Sequence, residues 1–128
     1  MKEKTTVLRG DTRRYKGNGR SLGYPTANIN TEIDLADGVY FGFASLGPYR
    51  RHPALIFIGT PTTLGDKDRR VEAYLLDIPD KNYYGLELTI SVLKLHRKNI
   101  TFDTVDELLV AIKEDEKAGR RWFKQHSD

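Results

Sequence analysis

Through its first three-quarters this chain alternates short apolar-rich runs with clusters of Gly, Pro, Asn and Asp, and that rhythm restricts the possible folds more than any other feature. Strand-like runs cover Thr5 to Arg9, Gly38 to Leu46, His52 to Ile58, Arg70 to Asp77 and Leu86 to Leu95. Between them stand Gly47-Pro48, Gly59-Thr60-Pro61 and Pro79-Asp80, clusters of residues that supply turn geometry. Runs this short and this evenly broken predict an antiparallel barrel or sandwich. Period-two alternation sorts the faces. Val71, Ala73 and Leu75 point one way, and Glu72, Tyr74 and Leu76 the other. Leu86, Leu88, Ile90 and Val92 form a buried face, leaving Glu87, Thr89 and Ser91 toward water.

A helix closes the sequence. Thr104-Val105-Asp106-Glu107 is a capping box, and Val105, Leu108, Leu109 and Ile112 follow at helical spacing, so the helix starts at Val105. Lys117, Arg120, Arg121 and Lys124 complement the dipole at its far end, while Gly119 weakens the case for an unbroken run to Phe123. The fold class is therefore mainly β within α+β: strands first, then one helix. With 128 residues and neither an internal repeat nor a linker, the chain is expected to be one domain over 1–128, with a core at about 5–123 and short frayed ends.

The chain has no cysteine, which excludes disulfides and thiolate metal sites and is compatible with a reducing compartment, so a cytoplasmic location is expected. No apolar run approaches the length of a membrane span, and Met1-Lys2-Glu3-Lys4 does not lead into a signal-peptide core. The net charge of +3 is mild but local. Arg9, Arg13, Arg14, Lys16 and Arg20 crowd one region against Asp11 alone, which favours an anionic ligand.

That basic region holds the segment richest in chemistry, Gly17-Asn18-Gly19-Arg20-Ser21-Leu22-Gly23-Tyr24-Pro25-Thr26-Ala27-Asn28. Gly17 and Gly23 can take positive φ, Gly19 lets backbone N–H groups approach phosphate oxygens, and Arg20 offers a planar fork. In an extended segment Thr26 and Asn28 share a face, and two neutral oxygen ligands beside bound phosphate suit a hard ion such as Mg²⁺. Gly17, Gly19, Arg20, Ser21, Gly23, Pro25 and Thr26 are thus the expected nucleotide-phosphate residues, with Thr26 and Asn28 toward the metal. This is not a Walker A loop, because Gly-x-x-x-x-Gly-Lys-Ser/Thr is absent, and no dinucleotide or protein-kinase fingerprint accompanies it. A plain hairpin turn, with Thr26 and Asn28 as local hydrogen bonders, is the structural alternative.

Glu72 is an acidic residue on an otherwise apolar strand. A carboxylate that accepts the proton of an attacking hydroxyl would complete a phosphoryl-transfer site, although a solvated strand carboxylate is the commoner case. His52, His96 and His126 show no metal-ligand spacing and read as structural or exposed. Tyr40, Phe41, Phe43, Tyr74, Tyr83, Tyr84, Trp122 and Phe123 read first as packing groups, one or two of which could line a slot for a flat ring.

Taken together these segments resemble the riboflavin kinase (flavokinase) family. The glycine loop through Asn28 is similar to its Gly-Arg-x-Leu-Gly-Phe-Pro-Thr-Ala-Asn signature. Gly38-Val39-Tyr40, Ile58-Gly59-Thr60-Pro61-Thr62, Val71 to Asp77, Tyr84-Gly85, Arg97 to Phe102 and the helix from Glu107 to Asp115 match later landmarks in order, so the similarity runs from about Gly10 to Phe123. The resemblance implies a six-stranded antiparallel Greek-key barrel with a C-terminal helix. It also implies transfer of the ATP γ-phosphoryl group to the 5′-hydroxyl of riboflavin, giving FMN and ADP. Glu72 would be the base and Mg²⁺ would lie near Thr26 and Asn28, with Tyr74 and Arg97 toward the flavin. Either ATP or CTP satisfies the loop on the residues alone.

The turn after Ile58 is one residue shorter than the family pattern, Phe57 stands where the family usually has Asn, and Asn99 replaces a Glu. The expected partners are riboflavin or FMN and ATP or ADP, with no nucleic acid, no membrane and a monomeric state. Two rival readings are a catalytically degenerate flavin- or nucleotide-binding barrel and a basic OB-like module for single-stranded nucleic acid.

Overall fold

The structure, a computed structural model, describes residues 6–12, 27–29, 34–60, 69–79, 83 and 85–126, with residues 27–29 described by their backbone. Among the described residues six strands, β1 (Thr6–Asp11), β2 (Ala27–Ile29), β3 (Gly38–Leu46), β4 (Tyr49–Gly59), β5 (Arg70–Leu75) and β6 (Glu87–Arg97), precede the helix α1 (Val105–Gln125). They form a single sheet in the order β1-β6-β3-β4-β5-β2, with every neighbouring pair antiparallel. The consecutive strands β3, β4 and β5 form a meander and β6 returns beside β3, which is a Greek key. The sheet curls until residues of its edge strands β1 and β2 come within 8 Å of one another, Cα to Cα. The expected barrel-like sheet and closing helix are both present.

Strand bounds differ modestly from the sequence reading. β3 matches it, β4 begins earlier at Tyr49, and β5 stops at Leu75 rather than Asp77. The stop has a local cause: Asp77 has φ of 63°, a left-handed conformation in which no strand continues, and the Leu76 amide donates to the Pro53 carbonyl at 3.0 Å. The three-residue β2 was not among the strand runs read from the sequence. Leu86, expected on the buried face, instead lies just before β6 and is 39% exposed. Burial starts at Leu88, where the pleat first turns inward.

Alternation divides the apolar residues into two layers. Inside the curl, Leu46, Ile56, Ile58, Val71, Leu75, Leu88 and Ile90 are nearly or wholly excluded from solvent. Each such side chain contributes about 1.5–3 kcal/mol over an exposed one. On the outer face Phe41, Leu55, Leu76 and Phe123 form a second cluster flanked by Phe43, Tyr74 and Trp122, and here α1 docks. Gly42, beside a register shift between β3 and β6, has no room for a side chain: a Cβ there would lie 2.0 Å from the Ser91 carbonyl oxygen.

The helix starts where the capping box predicts, with the Glu107 amide donating to Thr104 Oγ1 at 3.1 Å. It does not break at Gly119. A Cβ at that position would stand 2.7 Å from Leu55 Cδ2 and 3.2 Å from Phe41 Cε1, so the glycine lets the helix axis approach the sheet. Gly119→Ala sets a helix-propensity gain of about 1 kcal/mol against overpacking of about 1–3 kcal/mol. A net loss near 1 kcal/mol is expected, read as a lower urea midpoint at unchanged m-value.

Candidate active site

The proposed phosphate residues Gly17, Gly19, Arg20, Ser21, Gly23, Pro25 and Thr26 lie outside the described residues. The two other central candidates, Asn28 and Glu72, are on adjacent strands. β2 pairs with β5 in the register Ala27↔Ala73, Asn28↔Glu72 and Ile29↔Val71, so the proposed metal-side residue and the proposed base occupy directly opposed ladder positions. On the other side of β5, Glu72 is opposite Phe57 of β4. The position where the sequence departs from the family pattern by carrying Phe is therefore the immediate neighbour of the candidate base.

The outward face of β5 reads Arg70, Glu72, Tyr74. Arg70 is 1% exposed, an uncommon degree of burial for a guanidinium, and its Nε lies 2.9 Å from Glu72 Oε1. The two groups form a short ion pair, without the alignment of a hydrogen bond. The Glu72 side chain is 16% exposed, so it is neither the freely solvated strand carboxylate of the structural alternative nor sealed from a substrate. The Tyr74 hydroxyl reaches toward the helix, donating to Glu116 Oε1 at a long 3.4 Å.

Beyond Tyr74 the network continues through Arg120, which donates to Glu116 Oε2 at 2.9 Å and to both Asp77 carboxylate oxygens at 2.8 and 2.9 Å. These hydrogen bonds from Arg120 hold the Asp77 carboxyl below the usual carboxylate range, and they raise the guanidinium's own pKa in turn. Because the pair is well exposed, it contributes at most about 1 kcal/mol. Near the start of β3 the Tyr40 hydroxyl, donating to the Ala36 carbonyl at 2.6 Å, has its pKa raised first by burial and then by Asp37.

Arg97, expected near the flavin, makes a bidentate pair with Asp115 of α1, with Nε to Oδ1 at 2.8 Å and Nη2 to Oδ2 at 2.7 Å. His96 Nε2 lies 3.3 Å from the same Asp115 Oδ1, and its ring stacks on Phe41 at 4.6 Å. Asn99 donates from Nδ2 to the Ile58 carbonyl at 2.9 Å, so this departure from the family pattern ties the segment after β6 to the end of β4. His52 contacts the Leu76 carbonyl, and His126 caps α1 while stacking on Trp122. Each histidine therefore has a structural contact.

Sequence reasoning missed Arg70 and Asp115. The only signal for Arg70 was its period-two relation to Glu72, which alternation does supply but which does not show that a charged side chain would be buried. Asp115 could have been found as the i−4 and i−8 companion of Gly119 and Phe123, the stripe that α1 buries. Among the described residues no group of three or more His, Cys, Asp or Glu is arranged to hold a metal ion, and no helix is long and apolar enough to cross a membrane.

A family model described as flavokinase, riboflavin kinase, matches residues 2–123. The human protein named riboflavin kinase is 30% identical over 129 aligned residues, covering 94% of this chain and 83% of its own length. The trifunctional protein RibF/MnmA of Mycoplasmoides gallisepticum is 31% identical over 91% of this chain, which spans only 18% of that protein's length. A crystal structure titled riboflavin kinase from Trypanosoma brucei superposes with a TM-score of 0.70 at 25% identity, covering 95% of this chain and 79% of that one.

Proposed function

Since the chain belongs to the riboflavin kinase family, we propose that it phosphorylates riboflavin, moving the γ-phosphoryl group of ATP to the ribityl 5′-hydroxyl to give FMN and ADP. The observation that carries the reading is the ladder contact between Asn28 and Glu72, which joins the end of the glycine-loop signature to the half-buried carboxylate. In this mechanism Glu72 accepts the proton of the 5′-hydroxyl as its oxygen attacks phosphorus in line. A new O–P bond forms, the bond to the β,γ-bridging oxygen breaks, and the proton later leaves the carboxylate for water. The segment Gly17 to Thr26 binds and orients the phosphates, with Arg20 as a charged donor. A neutral amide and a hydroxyl are fitting donors for Mg²⁺, so Thr26 and Asn28 would hold the ion, which supplies neutralisation of phosphate charge when bound.

Positioning and charge stabilisation carry most of the rate in such a site. Phe57 is the residue opposite Glu72 on β4, so an apolar group stands next to the base in the ladder. Tyr74 and Arg97 are the residues offered toward the flavin. Tyr74 borders the site on β5, whereas the pairing of Arg97 with Asp115 favours a contribution through the docking of α1. The protein acts in this reading as a cytoplasmic monomer.

Incubation of the purified protein with riboflavin, ATP and Mg²⁺, with flavins resolved by chromatography, should yield FMN and ADP in equal amounts. A parallel arm with CTP identifies the donor. Tight flavin binding without FMN in either arm would overturn the kinase reading in favour of a degenerate carrier.

A further inference from the structure

We propose that Thr12 is a positioning residue for the nucleotide: its buried hydroxyl clasps the end of β1 to the turn before β6 and so fixes the point from which the glycine segment starts. The role presupposes that Gly17 to Thr26 bind phosphate, as in the reading above.

Thr12 follows the last pair of the β1–β6 ladder, Asp11↔Glu87, and immediately precedes Arg13. It is 6% exposed, and each polar group it carries has a partner. Its amide donates to the Leu86 carbonyl at 2.9 Å, and its carbonyl accepts from the Gly85 amide at 3.4 Å. Its hydroxyl donates to the Tyr83 carbonyl, with the Leu86 carbonyl also in reach at 3.2 Å. The gripped turn is held in its own right. The Leu86 amide closes it onto the Tyr83 carbonyl at 3.3 Å, Gly85 supplies a left-handed residue with φ of 75°, and the Tyr83 hydroxyl donates to the Pro79 carbonyl at 2.7 Å. The Tyr83 ring meets that of Tyr49 edge-on, and both pack against the inner core.

These bonds are of two kinds. The backbone pair needs no particular side chain at position 12, whereas the bond to Tyr83 needs a hydroxyl, which burial tolerates because acceptors stand beside it. The hydroxyl thus adds a second hold on the turn, and the chain leaves β1 tied at two points instead of one. The far end of the segment is held by the pairing of Ala27 to Ile29 with β5. A segment fixed at both ends has fewer conformations to lose when bound phosphate orders it. Loosening one end adds to that loss. The cost then falls on nucleotide affinity, and neither flavin binding nor the attack of the 5′-hydroxyl shares it.

The test compares Thr12→Val and Thr12→Ser with the unsubstituted chain. Thr12→Val keeps the shape and removes the hydroxyl. It strands neither carbonyl, because that of Tyr83 still accepts from the Leu86 amide and that of Leu86 from the amide of residue 12. ADP with Mg²⁺, titrated by calorimetry, should bind Thr12→Val about three- to tenfold more weakly, the worth of one ordinary hydrogen bond. The KM for ATP should rise in step, with kcat and the KM for riboflavin within about twofold of the unsubstituted chain. Thr12→Ser should bind ADP as the unsubstituted chain does. Trypsin gives a readout that needs no ligand: Arg13, Arg14, Lys16 and Arg20 are cleavage sites, and cutting there should quicken in Thr12→Val while cutting elsewhere keeps its rate.

Unchanged ADP affinity in Thr12→Val, or faster cutting throughout the chain, overturns the positioning role. So does a Thr12→Ser that binds ADP as weakly as Thr12→Val. If Thr12→Val does not fold, Tyr83→Phe, which frees the turn from Pro79, should weaken ADP binding by about twofold or more, and unchanged affinity and cleavage in that variant overturn the role instead. A chain that binds ADP but makes no FMN removes the kinase reading and leaves the clasp to stand on the ADP and trypsin results. A chain that binds no ADP removes the nucleotide role of Gly17 to Thr26, and the clasp with it.

Discussion

Glu72→Gln is expected to lower kcat for riboflavin phosphorylation by about 10²–10⁴-fold, the usual contribution of a positioned general base, while the KM for ATP stays within about twofold of the unsubstituted protein. Gln has nearly the shape of Glu and can still be approached by Arg70, but its amide has no affinity for a proton near neutral pH. A loss confined to kcat would mean that the side chain acts in the transition state and not in holding the nucleotide. A control is built into the site: Glu72 is paired with a buried cation, so the substitution also changes folding electrostatics. Thermal melts must therefore establish that the variant is folded at the assay temperature. A folded variant turning over at the wild-type rate would remove Glu72 from the chemistry.

The parts of this molecule that could be read in advance are those in which one local rule acts alone. The alternation Val71, Ala73, Leu75 against Glu72, Tyr74, Leu76 is reproduced because a pleated strand has no other way to arrange successive side chains. The start of α1 is reproduced because Thr104 and the Glu107 amide meet within one turn. What escaped prediction depends on partners distant in sequence. Leu108, Leu109 and Ile112 announce the helix by their spacing, yet its buried residues are Asp115, Gly119 and Phe123, selected by Arg97, Leu55 and Phe41 on the sheet. Gly119 carries a helix-breaking propensity that close packing overrides. Glu72 was legible as a candidate because a lone acid stands out on an apolar strand. The burial of Arg70 beside it was not, because period two says which face a residue occupies and nothing about what covers that face.

Asp115→Ala is expected to cost about 3 kcal/mol of stability or more, the effect of stripping a buried ion pair of one partner, and so to be the largest single-residue stability effect on the docking of α1. The Asp115 side chain is 6% exposed and accepts both arms of the Arg97 guanidinium at 2.7 and 2.8 Å, with His96 Nε2 at 3.3 Å. Removing the carboxylate leaves Arg97, itself only 23% exposed, without the anion that compensates its desolvation. It also opens a polar hole beneath the stack of His96 on Phe41. Because Arg97 ends β6 and Asp115 lies mid-helix, the pair is a clamp between the sheet and the helix. Its loss should release α1 while sparing the inner core of Ile56, Val71 and Leu88. Urea denaturation followed by Trp122 fluorescence, which reports on the helix side, and by far-ultraviolet circular dichroism should then give separated transitions in Asp115→Ala and coincident ones in the unsubstituted chain. The Arg97→Met/Asp115→Leu pair, which removes both charges and restores apolar contact, should recover much of the lost stability. If it does so and riboflavin phosphorylation recovers with it, Arg97 serves the reaction by holding the helix. If stability returns while the KM for riboflavin remains high, the guanidinium itself contacts the flavin.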